Sequence, residues 1–461
     1  MISELKLSEL QSVMPAHLHG RDVVFNKVST DSRSLSAGDL FVALQGDNFD
    51  GNQFAEQAVS SGACGLIVSQ LQPGLDVPQL QVGNTEKALG WLGYLNRKQS
   101  RATVIALTGS QGKTSVKEMT QRILSEEFST HYTKGNLNNT VGAPLTLLAM
   151  DAHHERAVIE LGANSAGEIA WTAMLTDPEV VLINNASETH LEGFGSLLGV
   201  VEAKGEIIDS AESTKVVVLN ADDPSVEVWK TRAGQRTVVL FSIDESKAGA
   251  VDYLATQLEC SGGESRFVLR GPEGLEISCL LPLPGSHNVA NAVAAASLAL
   301  SAGATARSVQ LALSRMKAVK GRLSDVSGCG GCTLIDDSYN ASPNSFRAAI
   351  DVLVSSADEK GKTSILIMGD MAEMGGEAEL AHRRVGEYAK AAGVAEVWAT
   401  GLLSKQAIDS FGHGGQWFES RQSLIDFAIN SLDTNKVALV KGSRSAAMDT
   451  VVTALKTEGA C

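Results

Sequence analysis

The sequence predicts an α/β fold in three domains, and three observations predict it. At 461 residues the chain exceeds what one hydrophobic core supports, so two or three domains are expected. Aliphatic runs of strand length alternate with longer segments at helical spacing, the pattern of parallel sheets covered by helices. Glycine, at 44 residues against 10 prolines, supplies many strand–helix turns. The composition shifts divide the chain at 1–100, 101–320 and 321–461.

Residues 1–100 read as a small α/β domain. Strands are expected at 23–28, 39–44 and 65–69, and helices at 54–61 and 85–96. Thr30-Asp31-Ser32-Arg33 precedes the second strand and the segment GDNFDG at 46–51 follows it; both have the composition of polar turns. Ser32 and Arg33 are the candidates there for holding an anionic ligand.

Residues 102–107 (ATVIAL) form the aliphatic run of a buried strand that opens the central domain. The next seven residues read TGSQGKT, and Val116, Met119, Ile123 and Leu124 then recur at helical spacing. Strand, glycine loop and helix N-terminus together make a phosphate cradle. Backbone amides turn inward on a polyphosphate, the helix end adds partial positive charge, and a lysine neutralises the outer phosphates. Gly109, Ser110, Gln111, Gly112, Lys113, Thr114 and Ser115 are thus the expected ATP-binding loop. The Thr114 hydroxyl is placed to reach the Mg2+ that accompanies the nucleotide. The spacing is the short G-x-x-G-K-T form; the alternative is a plain Gly/Ser turn with a solvent-facing lysine.

The strand at 157–161 carries Glu160 near its C-terminal end, where a carboxylate between two helix layers needs a partner such as a metal ion. The strand at 180–183 leads to Asn184-Asn185 and on to His190. Ligands of open α/β sheets collect beyond the C-terminal strand ends. Glu160 and His190 are therefore expected with Lys113 and Thr114 in one metal-and-phosphate site. The helix at 200–208 holds Glu202, Lys204 and Glu206 and reads as a solvated face. A strand at 215–219 follows, and short alternating segments at 250–283 read as an antiparallel flap. An Ala-rich helix at 287–300 opens with Asn288 and Asn291 one turn apart, placed to read a base edge or to cap the helix.

The third domain has strands at 333–336, 364–368, 396–399 and 436–440, with helices at 346–353, 377–391, 424–432 and 446–455. This is a Rossmann-like alternation, a parallel sheet covered on both faces. The polar loops at 336–340, 369–373 and 441–444 directly follow strands and so share one sheet edge. Asp336 and Asp337 end a buried strand there.

A net charge of -15 argues against a nucleic-acid or anionic-membrane surface. The first residues lack the basic and apolar segments of a secretory signal, and no run has the length of a membrane span. Six cysteines in so long a chain are no disulfide framework, which suits a reducing cytoplasm. Cys329-Gly-Gly-Cys332 has no second pair and reads as incidental thiols.

Taken in order, these segments resemble the Mur ligases of bacterial cell-wall synthesis over essentially the whole chain. The motifs are TDSRSLSAGDLFVALQGDNFDG, TGSQGKTS, GNLNNTVGAPLTLL, ELGANSAGEIAW, HLEGFGS, PGSHNVANAVAAA, GRL, DDSYNASPNS, GDMAEMG and KGSRSAAM. The resemblance implies a ligase in which ATP phosphorylates the terminal carboxylate of a nucleotide-linked peptide. An incoming amine then attacks the acyl phosphate and phosphate leaves. In that scheme Lys113 holds the ATP phosphates, Thr114 and Glu160 bind one Mg2+, and His190 helps to bind a second. Asn291 contacts adenine, and Arg322 and Asp337 reach the nucleotide on closure. Lys204 matches a lysine that can be carboxylated to a carbamate; an unmodified lysine contacting phosphate is the alternative.

The substrates so implied are UDP-N-acetylmuramoyl-tripeptide and D-alanyl-D-alanine, handled by a cytoplasmic monomer without nucleic acid or membrane insertion. Ser32 and Arg33 would serve the UDP end, and Asn138 and Asn139 the peptide channel. Tyr339 and Asn340 depart from other members of the family and, with Asn344 and Ser443, are the candidates for the dipeptide. Three domains around three substrates imply a lid motion, with hinges near Ser100 and Lys320. The rivals are a sister ligase with another acceptor, a folylpolyglutamate synthetase, and a P-loop switch that hydrolyses ATP without making a bond.

Overall fold

The structure, a computed structural model, describes residues 1–46, 49–261, 263–319 and 321–457. Lys320 at the second expected hinge, and Asp47 and Asn48 of the GDNFDG turn, lie outside the described residues. The chain forms the three expected α/β domains, each on its own main sheet.

The first sheet orders Ala16–His19, Gln79–Val82, Gly65–Val68, Leu40–Val42 and Val28–Ser29, and only the Ala16–His19 edge is antiparallel. AHLH and QLQV are not legible as strands, because polar residues interrupt them. Gln79 is nonetheless buried, its side chain exchanging two 2.9 Å hydrogen bonds with the Gln72 backbone. Helix Thr85–Lys98 then docks on the central domain. Its glycines permit the contact: a Cβ on Gly90 would lie 2.5 Å from Trp171, and one on Gly93 3.1 Å from Pro144.

Near the end of that helix, buried Asn96 donates to Leu147 O (2.8 Å) and Met150 O (3.1 Å) and accepts from Ile2 N (2.8 Å). Arg97 donates to Thr176 O and Asp177 O, each at 2.9 Å. The chain entering Ser100 is therefore pinned to the central domain, which leaves a hinge there little freedom. Asn96→Ala leaves these backbone groups without partners and is expected to cost about 3 kcal/mol of unfolding free energy, read from urea denaturation.

The central sheet runs Thr130–Tyr132, Arg156–Glu160, Thr103–Thr108, Val180–Ile183, Val216–Asn220 and Thr237–Ser242, all parallel. It continues into Tyr253–Ser261, Glu264–Arg270 and Glu276–Leu281, the last two pairings antiparallel. The expected flap is thus an extension of the sheet. Phe267, Leu269, Ile277 and Leu281 are buried in one core with Val289, Ala292 and Ala296 of helix Ser286–Ser301. Alternation marked an antiparallel strand with one face on a core, and that core is the domain's own.

The third sheet orders Ser324–Ser327, Thr333–Asp337, Lys436–Lys441, Thr363–Met368, Glu396–Thr400 and Gly415–Phe418, parallel except at the Ser324–Ser327 edge. Parallel pairing brings the C-terminal ends of five strands to one rim, where the three polar loops meet as expected. Among the described residues, no helix is long and apolar enough to cross a membrane.

Candidate active site

The phosphate loop joins strand Thr103–Thr108 to helix Lys113–Ser125. Gly112 holds φ at +75°, and a Cβ there would lie 2.2 Å from Asn291 Oδ1, so both conformation and space require glycine. The residues after strand Val180–Ile183 shape the loop. Ser110 N donates to Asn185 O (3.0 Å) and Gln111 N to Asn185 Oδ1 (2.8 Å). Asn184 Nδ2 donates to Gln111 O (3.0 Å) and to Asn291 Oδ1 (3.1 Å). Asn184 and Asn185 hold the loop in shape, a role the sequence analysis did not assign them; two amides directly after a buried strand were the available signal. Lys113 Nζ curls back to Gly109 O at 2.8 Å. Burial pushes the Lys113 amine below its usual range, with the Glu160 carboxylate opposing and Arg322 reinforcing. Ser115 sits half-buried in the helix's first turn.

Glu160 ends its strand at 1% exposure. Its Oε1 accepts from Asn138 Nδ2 at 2.7 Å and from Thr114 Oγ1 at 3.4 Å, while Oε2 is buried without a hydrogen-bond partner. An orphaned oxygen on a buried carboxylate is costly and is suited to a cation. Arg322 Nη2 donates to Thr114 Oγ1 at 3.1 Å and its guanidinium lies 4.5 Å from the Tyr339 ring centroid. The third domain thereby reaches into the phosphate loop. Asn139 Oδ1 accepts from Gly142 N at 2.8 Å and holds the turn before helix Gly142–Leu148.

His190 sits at φ +53° before the short helix Leu191–Phe194. Its Nδ1 lies against the Glu373 carboxylate of the third domain in a contact that lacks hydrogen-bond geometry. Burial lowers its pKa, Glu373 opposes, and the Lys113 and Lys204 charges add to the lowering. Lys204 corrects the expected solvated face of helix Leu197–Asp209, for it is 1% exposed with Nζ 5.3 Å from the Phe194 ring centroid. Its acidic neighbours turn elsewhere: Glu206 accepts from Gly167 N (2.8 Å) and Ala170 N (2.9 Å), and Glu202 pairs with Arg232 at 3.1 Å. Burial and the Lys113 charge bring Lys204 down to about 7 against the pull of Glu206 and Glu168.

Asp337 is buried and receives Lys441 Nζ at 2.6 Å; the same amine donates to Asn340 O at 2.9 Å. Burial raises the Asp337 carboxyl, and Lys441 and Arg322 oppose. Lys441 is a third residue that sequence reasoning did not assign, although a lysine at the end of a buried strand signals a partner. Asn340 Oδ1 accepts from Ala341 N at 2.9 Å, Asn344 is exposed in the first turn of helix Pro343–Lys360, and buried Ser443 Oγ lies 3.1 Å from Ser445 Oγ. In the first domain Ser32 Oγ donates to Gln57 Oε1 at 2.9 Å, and exposed Arg33 folds onto Asp31 at 2.8 Å. Hydrogen bonds thus join Thr114 to Glu160 and Arg322 and Glu160 to Asn138, and link Asn291 to the loop through Asn184, whereas Ser32 and Arg33 are engaged locally.

Three family models match the chain: Mur ligase family, catalytic domain, over 24–93; Mur ligase middle domain, over 107–299; and Mur ligase, glutamate ligase domain, over 321–444. The chain is 45% identical to the UDP-N-acetylmuramoyl-tripeptide--D-alanyl-D-alanine ligase of Escherichia coli (strain K12), with 100% of each chain covered. It is 40% identical to the ligase of the same name from Haemophilus influenzae, covering 99% of this chain and 100% of that one. A crystal structure of MurF from Acinetobacter baumannii superimposes with a TM-score of 0.90 at 32% identity, covering 98% of both chains. The MurF ligase of Thermotoga maritima in complex with ADP shares the fold at a TM-score of 0.81 and 24% identity, covering 93% of this chain and 96% of that one. With this full-length identity and three matching domains in order, the chain belongs to the Mur ligase family.

Proposed function

We propose that the chain joins D-alanyl-D-alanine to UDP-N-acetylmuramoyl-tripeptide in an ATP-dependent, ADP-forming reaction of peptidoglycan precursor synthesis. The observation that carries this reading is Arg322 of the third domain seated on Thr114 beside Glu160, in a chain 45% identical end to end to a ligase of that name. In this reading residues 1–100 hold the UDP end through Ser32 and Arg33, 101–320 bind ATP, and 321–461 close on ATP and the amine. Lys113 and the loop amides neutralise the ATP phosphates, Asn291 faces adenine, and Arg322 and Asp337 complete the nucleotide site. Asn138 and Asn139 flank the peptide carboxylate; Tyr339, Asn340, Asn344 and Ser443 serve the dipeptide. Thr114 and Glu160 would hold Mg2+, with His190 at a second ion. Bound there, Mg2+ would supply charge neutralisation for the anionic reactants. Closure of the third domain keeps water from the acyl phosphate. The enzyme works as a cytoplasmic monomer.

Mass analysis of the product made from ATP, UDP-N-acetylmuramoyl-tripeptide and D-alanyl-D-alanine tests the reading. Phosphate release should depend on the dipeptide, and free diaminopimelate, lysine or glutamate should not replace it. Steady ATP turnover without an amine would overturn it in favour of a switch.

The buried Lys204 amine supports a carbamate at that position, since its neutral form attacks CO2 through the nitrogen lone pair and releases a proton. The carbamate signal in 13C NMR with labelled bicarbonate should grow as pH rises through about 7 and be missing in Lys204→Ala. The unmodified amine has a matching effect on stability. The unfolded lysine keeps its proton up to its ordinary value of 10.5, so from about 7 to 10.5 the unfolded chain binds more protons. Stability of the unmodified protein therefore rises across that window, by roughly 1 kcal/mol per pH unit.

A further inference from the structure

The turn Asp151-Ala152-His153-His154 lies between helix Gly142–Leu148 and strand Arg156–Glu160. It sits at the N-terminal end of that strand, whose length of roughly 13 Å separates it from Glu160 at the other end. His153 N donates to Asp151 Oδ1 at 3.2 Å and His154 N to Asp151 O at 3.4 Å. The turn so curled brings a carboxylate oxygen of Asp151 and one ring nitrogen each of His153 and His154 within 4.8 Å of one another. His154 Nδ1 is 3.2 Å from Asp151 Oδ1, and His153 Nδ1 touches the same oxygen. Ligand atoms about 2.0 Å from a tetrahedral ion stand roughly 3.3 Å apart, so the Asp151–His154 spacing is that of two ligands of one metal.

The two rings have different settings. His154 is 12% exposed, its ring centroid 4.2 Å from that of His153 and 4.9 Å from that of His131. His131 donates from Nε2 to Thr146 O at 2.8 Å and packs behind it. Asp151 N donates to His154 Nδ1 at 3.1 Å, so the neutral imidazole carries its proton on Nε2 and a lone pair on Nδ1. Burial lowers the His154 pKa against the pull of Asp151 and favours this ligating form. Two acceptor atoms, Nδ1 and Asp151 Oδ1, thus face each other with no proton between them, an arrangement that a cation relieves. His153 is 68% exposed and leaves the cluster open to an arriving ion.

We propose that Asp151, His153 and His154 bind a divalent cation of the Zn2+ class, with water as the fourth ligand, and that the ion clips the turn between helix and strand. One carboxylate with two imidazoles suits Zn2+, Co2+ or Ni2+, whereas Mg2+ takes oxygen ligands, so this site differs in kind from the one at Glu160. The ion takes over the His154 lone pair, and the half-buried Asp151 amide turns to water. None of this depends on the ligase reading.

The test titrates the full chain with Co2+ after chelator treatment and dialysis, without nucleotide. The wild type is expected to bind one ion with the visible d–d bands of a tetrahedral complex, and Zn2+ should displace it and bleach them. Asp151→Asn and His153→Ala should each weaken Co2+ binding by about 100-fold. Both residues lie at the surface, and metal-free melting of each variant checks that it is folded. Neither touches the phosphate loop, so ligation in Mg2+ should be unchanged. His17→Ala, which removes an exposed histidine of the first sheet, should bind Co2+ as the wild type does. A wild type that takes up no Co2+, or full affinity retained in folded Asp151→Asn or His153→Ala, overturns the proposal. Loss of binding in His17→Ala would place the ion on the first domain and overturn it too.

Discussion

Lys113→Ala is expected to lower product formation by about 10³-fold while the chain stays folded. Lys113 is the one ammonium that the phosphate loop aims at its own concave side, where its Nζ rests 2.8 Å from Gly109 O. Burial already disfavours its charge, and only Glu160 among the named causes favours it. Such an amine gains its full interaction when a polyphosphate arrives. Its removal deletes two loop hydrogen bonds, to Gly109 O and Ser110 O, and one half-buried charge, none of which supports the core. The melting temperature should therefore move little, affinity for ATP should fall, and affinity for UDP-N-acetylmuramoyl-tripeptide should hold. Lys113→Arg should not restore the rate, because a planar guanidinium is larger than the ammonium it replaces in a loop this tight. Phosphate release in the presence of all three substrates is the measurement. Near-normal turnover would remove Gly109–Thr114 from the reaction.

The phosphate loop and Glu160 were legible in the sequence because their requirements are local. A glycine at positive φ, a lysine on a helix N-terminus and a carboxylate ending an aliphatic run are each visible within a few residues. The rest depends on partners far along the chain. Arg322 and Thr114 are separated by 208 positions, and Lys441 and Asp337 by 104, so neither pair leaves a trace in spacing. Lys204 carried a misleading signal, for the acids around it suggest solvent. Which face of its helix is buried is decided by packing: Val200, Val201, Ala203, Ile207 and Ile208 all enter the core beneath the central sheet, and Lys204 goes in with them. The segment at 250–283 shows the same limit. Its alternation identified antiparallel strands, but nothing local in the aliphatic run TVVLFS of strand Thr237–Ser242 says that it joins them to the parallel sheet.

Glu160→Gln separates the chemistry of the site from the stability of the fold. The glutamine side chain has nearly the same shape and keeps an oxygen for Asn138 Nδ2 and Thr114 Oγ1, the two donors to Oε1. It removes a negative charge at a position 1% exposed, where the second oxygen has no hydrogen-bond partner. Without Mg2+, melting of the variant should therefore match or exceed that of the wild type, since a neutral amide is less costly to bury than a carboxylate with one oxygen unpartnered. Product formation should fall by about 10³-fold, because the amide no longer offers the anionic oxygen that a divalent cation requires. The decisive readout is independent of turnover. Added Mg2+ with a non-hydrolysable ATP analogue should raise the wild-type melting temperature, by about 2.7 kcal/mol of stability at 100 times the dissociation constant. In Glu160→Gln that increment should largely vanish. A variant that gains as much from Mg2+ as the wild type would place the metal elsewhere, and the orphaned oxygen would then need another partner.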